Sequence, residues 1–131
     1  MTDVATSTVD VLIVDDQAPF RSVARTLVGL LPGWRVVGEA VSGEDALGQA
    51  AASRPALVLM DINLPGIDGI EATRRLLAEA PDTRVLLLST YAAGDLPPGA
   101  DSCGAAAYVR KDDLTPALLR QYAPAAPAPG P

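Results

Sequence analysis

Apolar positions come in short blocks along this chain, separated by stretches in which they recur every three or four residues. Val9 to Val14 (VDVLIV) is a β-branched run that ends abruptly on Asp15-Asp16, which predicts a strand with an acidic mouth. Pro19 suits a first helical turn. Phe20, Val23, Ala24, Leu27, Val28 and Leu31 then fall on one amphipathic stripe, which Pro32-Gly33 stops. Trp34 to Ala40 (WRVVGEA) reads as a second strand. Ser42 is placed to cap a helix through about Ser53 with Ala46, Leu47, Ala50 and Ala51 as its apolar face. Pro55 precedes a third run, ALVLM, ending on Asp61. The turn residues Asn63-Leu64-Pro65-Gly66 follow, and Asp68 with Glu71 resembles a capping box for a helix to about Ala80. Arg84 to Leu88 is a fourth strand that meets Ser89 and Thr90. Ala105 to Val109 is a weaker fifth, and Thr115-Pro116 opens a last short helix, ALLRQY.

Strands alternating with helices, each strand apolar on both faces, imply a parallel sheet covered on both sides. The predicted fold is α/β: a doubly wound five-stranded parallel sheet of the flavodoxin-like type. One helix slot breaks the pattern. Between strands four and five, AAGDLPPGADSCG carries Pro97 and Pro98, and each interior proline costs a helix ~3 kcal/mol. An irregular segment is therefore expected in the fourth slot. The predicted organisation is a disordered start over 1–8, one domain over 9–122, and a Pro/Ala-rich tail over 123–131.

Composition narrows the chemistry. The 131 residues are 49% hydrophobic and 20% charged, enough to form a core and unlike a disordered chain. A formal charge of -6 argues against direct nucleic-acid or anionic-membrane binding. No run approaches the ~20 apolar residues of a membrane span, the first ten residues lack the basic start of a secretory signal, and Cys103 is the single cysteine. A cytoplasmic setting is expected. With no histidine in the chain, chemistry must run on carboxylates and hydroxyls.

In an open parallel sheet, ligands bind beyond the carboxyl ends of the strands, where strand order reverses. That edge should gather Asp15, Asp16, Asp61, Ser89 and Lys111. Three neighbouring carboxylates cannot all stay ionised without a cation, and hard oxygen ligands of this kind suit Mg2+ completed by a phosphate oxygen. The chain has nine Arg but one Lys, at Lys111, a compact ammonium where every other cation is a guanidinium.

VLIVDDQ, LVLMDINLPGIDGIEATRRL, VLLLST and AAAYVRKDD together resemble the receiver domains of two-component response regulators, and more narrowly the branch that usually carries a helix-turn-helix output domain. Spacing agrees as well: 45 residues from Asp16 to Asp61, 28 to Ser89 and 22 more to Lys111. The resemblance covers roughly residues 9 to 122. It implies that Asp61 is the phosphoacceptor for a phosphoryl group from a sensor histidine kinase. It also implies that Asp16, Asp61 and the backbone carbonyl of Asn63 hold Mg2+, with Asp15 acting through water. By the same resemblance Ser89 and Lys111 meet phosphoryl oxygens, and Tyr108 turns inward when Ser89 moves. The implied protein is a stand-alone phosphorylatable switch, not a conventional enzyme, whose output passes by protein contact to a target the sequence does not name; homodimerisation stays open. The family usually places proline after the strand-five lysine. Here Asp112 stands at that position, as is common in the output-carrying branch.

Each residue also has a plainer reading. Asp15-Asp16 could be a strand-end turn, Asp61 a loop cap, Ser89 and Thr90 strand-end polar groups, Lys111 a surface charge, and Tyr108 a packing aromatic. Cys103 reads as a small packing residue and Trp34 as a sheet-edge one. The alternative function is a receiver-like binding module that works without phosphorylation, against which the intact acidic, hydroxyl and lysine set speaks. A phosphatase of the aspartyl-phosphate class would carry a second Asp two residues after the nucleophile, where this chain has Asn63.

Overall fold

The computed structural model of the chain describes residues 8–90 and 97–123. Apart from Thr8 and Ala123, the expected disordered start and Pro/Ala tail lie outside them.

The elements run β1 (Val9–Val14), α1 (Ala18–Gly29), β2 (Trp34–Ala40), α2 (Gly43–Ser53), β3 (Leu57–Asp61), α3 (Gly69–Glu79), β4 (Arg84–Ser89), β5 (Ala107–Arg110) and α4 (Pro116–Gln121), with a 3-10 turn at Lys111–Asp113. The five strands are all parallel in the order β2-β1-β3-β4-β5. The order reverses between β1 and β3, so a crevice opens at the carboxyl ends of those two strands.

Side chains alternate across the sheet as strand geometry requires. Val11 and Ile13, Leu57 and Leu59, Leu86 and Leu88 join the core under α1 and α4. Leu12 and Val14, Val58 and Met60, Val85 and Leu87 join the core under α2 and α3. Most of these side chains have no exposed surface, and each such burial contributes about 1.5–3 kcal/mol.

Local chemistry sets the helix starts. Ser42, Asp68 and Thr115 each accept a hydrogen bond from the backbone N–H three residues on, as N-caps do. Only half of the expected capping box forms at α3. Asp68 caps Glu71 N, but the Glu71 carboxylate pairs with Arg74 and Arg75 one turn ahead instead of turning back. Two guanidiniums outcompete one backbone N–H for it.

The remaining differences are at element ends. Helix α1 stops at Gly29, and Leu31 reaches the core from the turn that follows it. β5 starts at Ala107, two residues later than its apolar run suggests. In the fourth helix slot, residues 98–102 form turns and no helix occurs among the described residues, as the prolines require. Ala100 and Cys103 fill that position in the core, so the segment is packed even though it is not helical.

Candidate functional site

The parallel sheet brings the carboxyl ends of β1, β3, β4 and β5 to one edge, and Asp15, Asp16, Asp61, Ser89 and Lys111 stand at or just beyond them. Carboxylate oxygens of Asp15, Asp16 and Asp61 lie within 4.8 Å of one another. Asp15 and Asp61 are buried and Asp16 is exposed. The Lys111 ammonium lies between the two buried acids, 2.6 Å from Asp15 Oδ2 and 3.5 Å from Asp61 Oδ2. A cleft of about 260 Å3 opens over them, lined by Asp16, Gln17, Asp61, Asn63, Thr90 and Lys111.

Backbone contacts hold the acids in place. Gln17 N–H donates to Asp15 Oδ1 at 2.8 Å, and Asn63 N–H to Asp61 Oδ1 at 3.2 Å. Arg21 donates to the Asp15 carbonyl at 2.8 Å while paired with Glu39 on β2, which also pairs with Arg25. Behind Asp61, the start of α3 lies so close that a Cβ on Gly69 would meet the Asp61 carbonyl oxygen at 2.1 Å. Only glycine lets the helix dock there, and Gly69 N–H closes the loop onto Ile62 O at 2.8 Å. Gly66, at φ 76°, makes the left-handed turn within that loop.

The electrostatics follow from crowding. Burial first, and the Asp15 charge second, raise the Asp61 carboxyl from the ordinary 3.8 to about 6; Lys111 and the Asn63 N–H oppose the rise. Asp15 Oδ2 is fully buried and accepts no hydrogen bond of acceptable geometry, although Lys111 Nζ is 2.6 Å away. The short distance makes the contact an ion pair, and no further donor among the described residues reaches that oxygen. A buried oxygen in that condition, with two further carboxylates beside it, fits a hard divalent cation such as Mg2+.

Strand parity divides the expected residues. Asp61 continues the Leu57–Leu59 series on the α1 side of the sheet, whereas Ser89 continues Val85–Leu87 on the other. Ser89 is fully buried and does not line the cleft; its neighbour Thr90 does. Tyr108, half-buried on β5, packs on the same face as the Ser89 series, beside the fourth slot. Asp15, Asp16, Asp61, Asn63 and Lys111 are thus together, and strand parity puts Ser89 and Tyr108 on the other face of the sheet from Asp61.

Sequence reading missed Gln17 and Arg21 as parts of the site. Arg21 carried a weak signal as a basic residue five positions after an acidic pair. A larger groove of about 970 Å3 lies at the opposite end, where Arg54–Ala56 and Pro81–Thr83 lead into β3 and β4. It holds none of the expected residues, and the convergence of charge marks the smaller cleft as the site.

The response regulator receiver domain family matches residues 11–123 of this chain. The response regulator UvrY of Escherichia coli O6:H1 is 38% identical over 103 residues, covering 79% of this chain and 47% of that protein. The response regulator GacA of Pseudomonas aeruginosa is 39% identical over 119 residues, covering 88% and 56%. The chain spans about half the length of these curated relatives. Among solved structures, a LuxR-family two-component response regulator from Aurantimonas sp. superposes with TM-score 0.78 at 35% identity, covering 88% of this chain and 81% of that one. The receiver domain of a NarL response regulator from Mycobacterium tuberculosis gives 0.79 at 31%, covering 88% and 96%. Among the described residues no helix is long and apolar enough to cross a membrane.

Proposed function

The chain belongs to the response regulator receiver domain family, and from that premise we propose that it is a phosphoacceptor switch in which Asp61 takes a phosphoryl group from a sensor histidine kinase. The observation that carries this reading is the Lys111 ammonium held between two buried carboxylates, beside a third, under an open cleft.

An Asp61 carboxylate oxygen attacks phosphorus, and the new P–O bond forms as the P–N bond to the kinase histidine breaks; the P–N pair returns to the imidazole, which leaves neutral because its other ring nitrogen carries the proton. Little of this needs covalent help from the protein, so positioning and charge neutralisation carry the rate. Asp15, Asp16, Asp61 and the Asn63 carbonyl would hold Mg2+, which when bound neutralises phosphoryl oxygens. Lys111 is near enough to leave Asp61 for a phosphoryl oxygen. Ser89 reaches the phosphoryl group by moving out of its buried position, and Tyr108 follows into the space behind it. Output then passes by protein contact to a downstream target or to a second copy of the chain.

Intact-protein mass after incubation with Mg2+ and acetyl phosphate or phosphoramidate tests the reading. Wild type gains one phosphoryl group, and the metal-free control and Asp61→Asn gain none. An adduct retained in Asp61→Asn would overturn the site assignment. Absence of any adduct together with no Mg2+ binding would favour a binding module that works without phosphorylation.

A further inference from the structure

The Lys111 ammonium has a third neighbour. It lies 4.6 Å from the centroid of the Phe20 ring, over its face. Phe20 is in the first turn of α1, half-buried, and packed against the core under α1 and α4. Lys111 begins the 3-10 turn after β5, so the two meet across the sheet edge from 91 residues apart in sequence.

We infer that Phe20 is a positioning residue: its ring face holds the Lys111 ammonium at the cleft without placing a competing oxygen acceptor beside it. The inference rests on the phosphoacceptor reading for its purpose, but the contact stands by itself. An aromatic face attracts an ammonium through its quadrupole and offers no oxygen acceptor to compete with a phosphoryl oxygen. The two carboxylates that hold Lys111 now are the groups a cation and a phosphoryl group would engage. When they are engaged, their pull on the ammonium weakens, and the pull of the ring does not. Core packing keeps the ring in place, so Nζ stays at the cleft with its protons free for a phosphoryl oxygen. This explains an arrangement that acids alone leave unexplained, a flexible lysine whose side chain is only 11% exposed.

Because Lys111 is the only lysine, lysine-selective 13C labelling yields one side-chain signal to follow. Protons over a ring face shift upfield. In the full-length protein the Lys111 Hε signal should be upfield in wild type, return toward the free-lysine position in Phe20→Leu and in Phe20→Met, and stay upfield in Phe20→Tyr. Unchanged Hε signals in folded Leu and Met variants would overturn the inference. With acetyl phosphate and Mg2+, Phe20→Leu should slow Asp61 phosphorylation roughly tenfold, Phe20→Tyr should restore it, and Phe20→Leu should add nothing in a Lys111→Ala background. Equal slowing in both backgrounds would show a general packing role and overturn it too. A wild type that takes no phosphoryl group would count against the phosphoacceptor reading, and the Lys111 signal would still decide the Phe20 contact.

Discussion

The acidic cleft and the fourth helix slot belong to one sheet, yet they are built by different means. At the cleft, Asp15 and Asp61 end strands buried on both faces, and backbone N–H groups, Lys111 and the close approach of α3 all constrain them. In the slot, the described residues 97–104 are irregular, with turns over 98–102, and two small core residues, Ala100 and Cys103, hold them. The proposed phosphoryl chemistry needs its charges placed to within about 0.5 Å, which rigid strand ends can supply. The slot has to fill space under the sheet, which turns can do as well as a helix. Strand parity sharpens the contrast, because the acids lie on the α1 face and Ser89 and Tyr108 on the slot face.

The contrast can be broken most strongly at Gly69. Gly69→Ala should destabilise by about 3 kcal/mol, because the clash is with the backbone carbonyl of Asp61 and the Cα of Ile62, and nothing there can yield cheaply. Gly48→Ala, mid-helix with nothing within 4 Å, should instead stabilise by about 0.5–1 kcal/mol. Urea unfolding of the two measures both.

The acid crowding has a pH signature. A carboxyl raised to about 6 holds its proton more tightly in the folded chain than in the unfolded one. Its contribution to stability is therefore present below about pH 4 and is lost as pH rises through about 6. The stability of wild type relative to Asp61→Asn, measured without divalent cations, should fall between about pH 4 and about pH 7. Excess Mg2+ should flatten or reverse that fall, since the metal favours the ionised acid.

The smallest effect belongs to the slot. Pro98 is exposed in a turn, and Pro98→Ala should cost no more than about 0.5 kcal/mol, through the freer unfolded chain. Mg2+ affinity by calorimetry should be unchanged. A large loss of affinity would mean that slot and cleft are one cooperative unit.

Much of this architecture was legible from residues alone, for identifiable reasons. β1 and β2 fall where their apolar runs do, because each is bounded by acids or by Pro-Gly. The start of β5 was not legible, since the alanines before Tyr108 suit strand and turn alike. Asp15, Asp61 and Lys111 could be placed at one edge because each follows an apolar run closely. The burial of Ser89 away from the cleft depends on a one-residue parity that strand ends obscure. The Phe20 contact joins elements distant in sequence, and a ring that already fits a core stripe gives no sign of a second task.

The single lysine has a further consequence. Every other side-chain cation is an arginine, which stays charged and chemically inert under ordinary conditions. Reagents and modifying enzymes that acylate side-chain amines therefore have one address on this chain, in its charged cleft. One acetyl group there would erase the positive charge held between Asp15 and Asp61 while leaving the rest of the surface as it was.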